Sequence, residues 1–324
     1  MTEPDSTFDS TAGLLGRITA QLGNQLTLLH RDRTRRPPMS TPVSPSLSPI
    51  PNRSRSTAIS PSVSEAMSPS MRPSTRPPTL IAVGHGSRDP RARATLALLL
   101  DRVRELRPGL DVRLAHIELN APLLDDTLAG LTREGGRDAV LVPLLFGRGY
   151  HVKHDLPAAA AAAPALRTRI AAPLGPHPLL VEALADRLAE AGWTPADSAS
   201  RSAAVVLAAA GSRDSESTAD IRRTAALLGE RLGGVPVVAA YASAATPTVP
   251  EALRALAARG RHRIAVASCF TAPGLFASRT AAHAPWIAAA PLGAHPAMAR
   301  LILHRYDRSR TAPHTAHPRE LASA

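Results

Sequence analysis

From Thr79 onward the chain alternates between two hydrophobic rhythms. Short uninterrupted apolar runs predict buried strands, and apolar residues recurring every three or four positions predict helices. The runs over residues 79–84, 111–117 and 138–145 are predicted strands, separated by predicted helices over 90–107 and 122–133. A helix over 151–163, a short strand over 169–172 and a closing helix over 178–191 complete this unit. The alternation then returns: 203–209, 217–232, 235–241, 250–259, 264–269 and 286–290. Strands alternating with helices imply right-handed crossovers and a parallel sheet covered on both faces. The predicted class is α/β, with two tandem duplicated parallel-sheet domains facing a cleft.

The duplication is also written in the residues. Gly86-Ser87-Arg88-Asp89 recurs 125 positions later as Gly211-Ser212-Arg213-Asp214. The same register pairs Pro122 with Pro247, Leu128 with Leu253, Gly135 with Gly260 and Gly149 with Gly274. A period above 100 residues marks a duplicated domain, not a solenoid, whose repeats are about 20–50 residues long. Each copy ends alike, with Ala172-Pro173-Leu174-Gly175 answered by Ala290-Pro291-Leu292-Gly293 and His177-Pro178 answered by His295-Pro296. The expected organisation is a competent half over 79–192, a linker over 193–202, a degenerate half over 203–306 and a polar tail over 307–324. Residues 1–78 are rich in Ser, Pro, Thr and Arg from position 31 onward, a composition that buries too little apolar surface to fold, so a dispensable disordered extension is expected there.

Composition narrows the function. The formal charge is +12, but only one lysine, Lys153, stands among the basic residues, and arginines are spread through both halves. With aromatics at 3% and no compact basic block, an anionic small molecule fits better than nucleic acid. The single cysteine, Cys269, excludes an intrachain disulfide and a cluster with four cysteine ligands. No apolar run approaches the length of a membrane span, and the acidic start lacks the pattern of a secretory signal, so a cytoplasmic location is expected.

The ungapped register compares the copies residue by residue. His85 faces Ala210, Glu118 faces Ser243 and His151 faces Phe276, so only the first copy carries groups that bind a metal or move a proton. All three follow predicted strands, at the carboxyl edge where open parallel sheets bind ligands. Two nitrogens and one oxygen suit a divalent metal such as Fe, Co, Ni or Zn. Asp89 and Asp214 occupy helix N-cap positions, so the shared tetrapeptide is expected to be partly architectural, with Ser87 and Arg88 as candidate substrate contacts. Arg148 and Lys153 lie beside His151 in sequence, and Arg148 is the further candidate for an anionic substrate. His154 is read as a supporting or solvated residue, His177 and His295 as parts of the shared fold, and His116, which pairs with Tyr241, as packing.

The stretch from Val83 to Pro90 (VGHGSRDP), then Glu118-x-x-x-Pro122, then Val142 to Phe146 (VPLLF) with Gly149, His151, Val152, Asp155, Leu156 and Pro157, resembles the sirohydrochlorin chelatases. These are the ATP-independent, class II tetrapyrrole chelatases. The resemblance runs from about residue 79 to 306, strong in the first copy and confined to the frame in the second. It implies a flavodoxin-like, chelatase-type fold and insertion of Fe2+ or Co2+ into sirohydrochlorin, towards sirohaem or cobalamin. The family's metal-site histidines fall on His85 and His151 and its acidic partner on Glu118, which can fix a histidine tautomer, accept a proton or complete the coordination shell. No organic cofactor is implied, and the metal is a substrate. One competent half and one bare one imply one catalytic metal per chain and a monomer or weak homodimer. A carrier that binds and delivers a metal or tetrapyrrole would need the same ligands, and turnover separates the two. A phosphate-binding glycine loop is a poor third reading, since Gly-x-Gly-x-x-Gly and a Walker lysine are both missing.

Overall fold

The computed structural model describes residues 77–311, so the expected extension, apart from its last two residues, and the end of the tail lie outside the described residues. Six buried residues, Thr79–Gly84, form β1, followed by α1 (Pro90–Leu106), β2 (Val112–His116), α2 (Leu124–Arg133) and β3 (Asp138–Pro143). A single π-helical turn over His151–Asp155 runs into α3 (Leu156–Ala162), and then come β4 (Arg167–Ile170) and α4 (Pro178–Glu190). The second copy contributes β5 (Ala203–Ala209), α6 (Ser215–Arg231), β6 (Val237–Tyr241), α7 (Val249–Ala257), β7 (Arg263–Ser268), α8 (Leu275–Ala281), β8 (Ile287–Ala288) and α9 (Pro296–Thr311). All ladders are parallel, in the orders β2-β1-β3-β4 and β6-β5-β7-β8. The class is α/β with two tandem four-stranded sheets, as the apolar runs required.

The helix caps form as the repeated tetrapeptide implies. Asp89 Oδ1 accepts the Arg91 N–H at 2.9 Å and Asp214 Oδ1 accepts the Glu216 N–H at 2.9 Å. Ser87 Oγ and Ser212 Oγ accept the Asp89 and Asp214 N–H groups, both at 3.1 Å. The interior glycine is fixed by a close approach. Gly86 lies at φ +112° and Gly211 at φ +94°, and a Cβ there would stand 2.0 Å from Glu118 O and 1.8 Å from Ser243 O. A side chain at either position meets both a disfavoured backbone and a main-chain oxygen. Gly211→Ala, in the copy without the histidines, is expected to cost at least about 2 kcal/mol and lower the melting temperature by about 4–8 °C, measured by calorimetry.

Several boundaries differ from the sequence reading. The expected linker contains a further helix, α5 (Pro195–Ala199), closed by a capping box between Thr194 and Asp197. The last helix continues through the expected tail to Thr311, with Asp307 held by Arg107 at 2.9 Å. Helix α2 starts two residues late because the chain stays extended through Leu123, at φ −74° and ψ 158°.

The largest departure concerns the closing helices. Helix α4, expected to close the first copy, packs instead on α6 and β7 of the second. Helix α9 crosses back to cover α1, β3 and β4 of the first, and the two exchanged helices lie against each other. Alternation along β1 explains the partition: Leu80 and Ala82 face a core shared with Val205, Leu180 and Met298, whereas Ile81 and Val83 face a separate core under α2 and α3. The two copies therefore share one core and cannot be separated at the linker without exposing it.

Candidate functional site

Both sheets end at a common cleft of about 660 Å³, lined from the first copy by the loops after β1, β2 and β3 and from the second by their counterparts. The main chain sets the geometry. The ladder between β1 and β2 continues past the strands, with Ile117 N–H donating to Gly84 O at 2.9 Å and Glu118 N–H donating to His85 O at 3.0 Å. The bare copy repeats it, with Ala242 N–H on Ala209 O at 2.9 Å and Ser243 N–H on Ala210 O at 3.0 Å. One frame presents His85 and Glu118 in the first copy and Ala210 and Ser243 in the second.

His85 Nδ1 lies 3.4 Å from Glu118 Oε1. The His151 ring meets His85 edge to face, with centroids 4.7 Å apart and planes at 87°. His151 Nδ1 lies 2.5 Å from Asp155 Oδ2, a contact made within the π turn. A carboxylate only accepts hydrogen bonds, so the His151 Nδ1 bonded to Asp155 carries the proton and its Nε2 keeps a lone pair. Burial, helped by the neighbouring His151 and opposed by Glu118, holds the His85 imidazole below its ordinary pKa and so unprotonated near neutrality. The three residues that sequence placed at three strand ends are thus neighbours. Asp155 joins them, and its signal was available as a carboxylate four positions after His151 in a helical stretch. Among the described residues no three His, Cys, Asp or Glu side chains are arranged to hold an ion by themselves.

The substrate candidates separate. Ser87 and Arg88 line the cleft, although the Ser87 hydroxyl serves the cap as Ser212 does. Arg148 does not line it. Its Nε and Nη2 donate to Asp220 Oδ2 and Oδ1 at 3.0 and 2.9 Å, and its N–H reaches Oδ2 at 3.1 Å. Asp220 is buried on α6, so Arg148 is a strut between the copies. Lys153 is spent likewise, 2.8 Å from Asp214 Oδ2 and 3.4 Å from Glu216 Oε2. His154 stacks on Tyr150, with centroids 4.6 Å apart. His177 and His295 cap α4 and α9, their Nδ1 atoms accepting from Leu179 N–H and Ala297 N–H, as expected for parts of the shared frame. The rim of the cleft is apolar: Leu119, Tyr150, Leu275 and Phe276 all line it and all expose surface. A broad flat ligand would cover these groups.

The CbiX family profile matches residues 79–191 and 204–309, one match per copy. The chain is 27% identical over 176 residues to a sirohydrochlorin ferrochelatase of Bacillus subtilis, covering 53% of this chain and 66% of that one. It is 24% identical over 205 residues to a sirohydrochlorin cobaltochelatase of Priestia megaterium, covering 62% and 66%. The chain thus spans just under two thirds of the length of these curated relatives. The structure of SirB from Bacillus subtilis with Fe3+ superposes over 72% of this chain and 96% of that one, with a TM-score of 0.59 and 23% identity, a likeness of fold. Among the described residues no helix is long and apolar enough to cross a membrane.

Proposed function

Because the chain belongs to the CbiX family, we propose that it is a sirohydrochlorin chelatase, inserting Fe2+ or Co2+ into that macrocycle in sirohaem or cobalamin biosynthesis. The observation that carries this reading is the pair of imidazoles in edge contact on one wall of a two-walled cleft, each with a carboxylate at Nδ1.

The chemistry follows from what insertion demands. The metal must be held on arrival and released to the pyrrole nitrogens, so a site built from few protein ligands suits a metal that is cargo. In this reading the Nε2 atoms of His85 and His151 receive the ion, and Asp155 fixes the His151 tautomer and strengthens its donor nitrogen. The low pKa of His85 keeps its lone pair available, since a protonated imidazole binds no metal. Two pyrrole N–H protons must leave as the metal enters. Glu118, beside His85 at the exposed edge, takes each in turn and passes it to solvent before the next. The opposite wall, built from the bare copy, supplies apolar surface for the macrocycle through Phe276 and Leu275.

The test is insertion followed by the loss of free-base absorbance, with Fe2+ and Co2+ side by side. Many turnovers per chain with at least one metal, in the absence of ATP, are expected. A protein that binds macrocycle and metal yet never yields more than one equivalent of metallated product is a carrier, and the reading fails.

A further inference from the structure

We propose that Asp220, on α6 of the second copy, is a positioning residue for metal capture: it holds the bend that delivers His151, and so sets where the second imidazole stands against the first. The assignment rests on the reading of the two histidines as the ligands that receive the metal.

The two imidazoles are placed by different copies. His85 is set within its own copy, where its carbonyl accepts the Glu118 N–H at 3.0 Å. His151 follows the Gly147–Gly149 bend, and that bend is seated on the second copy. Asp220 accepts three hydrogen bonds from Arg148, one from the main-chain N–H at 3.1 Å and two from Nε and Nη2 at 3.0 and 2.9 Å. Gly147 lies so close to α6 that a Cβ there would stand 2.7 Å from Ser217 Oγ and 3.1 Å from Ser217 Cα. Past His151 the chain is tied down again, with Lys153 Nζ 2.8 Å from Asp214 Oδ2 at the α6 cap. Between these anchors Gly149 O accepts the Val152 and Lys153 N–H groups at 3.1 and 3.2 Å, which joins the turn to the bend.

Burial sharpens the assignment. Asp220 is 4% exposed, beside the buried Ile221 and Thr224. A carboxylate is tolerated there only when its oxygens are paired, and Arg148 pairs both. Asp220, Arg148 and Lys153 are not among the residues that line the cleft, so this group acts on His151 and not on the macrocycle.

The sister side has no such clamp. In the repeat register Arg148 becomes Pro273, Lys153 becomes Ser278 and Asp220 becomes Thr95. The Thr95 hydroxyl donates to Arg91 O of its own helix at 2.8 Å, and Asp89 is paired with Arg91 at 2.7 Å. The clamp is confined to the loop that carries a metal ligand. Two nitrogens share one ion only when each lies about 2 Å from it, and a misplacement of about 1 Å can lower a rate about a hundredfold.

The experiment titrates Co2+ onto the metal-free full-length protein by calorimetry and follows Co2+ insertion at steady state in the same variants. Asp220→Asn leaves a half-exposed Arg148 guanidinium to water. It should raise the Co2+ Kd and lower kcat, each about tenfold, with KM for sirohydrochlorin within about twofold of wild type. Lys153→Met should show the same pattern at about threefold, and Lys153→Arg should restore it. Asp197→Asn breaks another buried carboxylate–arginine pair, with Arg263 at 2.6 Å, and should lower the melting temperature without altering the Co2+ Kd. The proposal is overturned if Asp220→Asn binds Co2+ as tightly as wild type, or if Asp197→Asn weakens binding equally, which would trace the loss to general loosening. Should Asp220→Asn fail to fold, the lysine variants decide, and wild-type Co2+ affinity in Lys153→Met then overturns it. The expected Co2+ effects in a protein that metallates no sirohydrochlorin would uphold the positioning and remove the functional reading alone. A wild-type protein that binds no Co2+ removes both.

Discussion

His85→Ala and His151→Ala are each expected to lower metal insertion by at least about a hundredfold while leaving the circular dichroism spectrum and melting temperature near wild type. Both side chains line the cleft, and the second copy makes the His85 loop with the same main-chain hydrogen bonds and Ala210 in its place, while Phe276 stands opposite His151 on α8, which starts without a π turn. The chain itself therefore shows that the frame tolerates the loss of His85. Asp155→Asn should fall between, about 10- to 100-fold down, because it retains shape but gives up the carboxylate that orients His151. A well-folded double variant lacking both histidines and turning over at the wild-type rate would remove the proposed centre.

Deleting α9 is expected to abolish cooperative folding of the first sheet as well as the second. Met298, Leu301, Ile302, Leu303 and Tyr306 are all buried, Met298, Leu301 and Ile302 completely. At about 1.5–3 kcal/mol for each large apolar side chain, their loss is on the order of 10 kcal/mol. Whole domains are stable by only about 5–15 kcal/mol. The bond from the Tyr306 hydroxyl to Pro78 O, at 2.7 Å, shows how far the helix reaches back, to the residue before β1. A chain ending near residue 294 should show no sharp thermal transition, and a fragment ending at residue 193 should fare no better. If such a fragment melts cooperatively near the full-length temperature, the exchanged helices are ornaments and the shared core is not needed.

The strands were legible because a buried parallel strand must be apolar throughout, and β1 and β5 are buried along their whole length. The loop residues were legible because the duplication acts as an internal comparison, separating shared frame from one-sided chemistry. The destination of α4 was not. Its apolar positions require that one face be buried but carry no mark of which sheet buries it. The division of labour among arginines was equally hidden. Arg148 stands next to the motif and Arg93 does not, yet Asp220, 72 positions away, takes the first and leaves the second at the cleft. The His151–Asp155 contact was half visible: the spacing was readable, but the π turn that brings the groups together depends on how the chain leaves the Gly147–Gly149 bend.

The matched turns at Gly86 and Gly211 work like a socket. In each copy the glycine presses against a main-chain oxygen of the neighbouring loop, and the residue just before it is delivered to the cleft whatever its identity. Folding reads the glycine, and reactivity is decided by its neighbour. The side chain in such a socket can change at no cost to the fold, which is why the two copies hold one frame with His85 in one and Ala210 in the other.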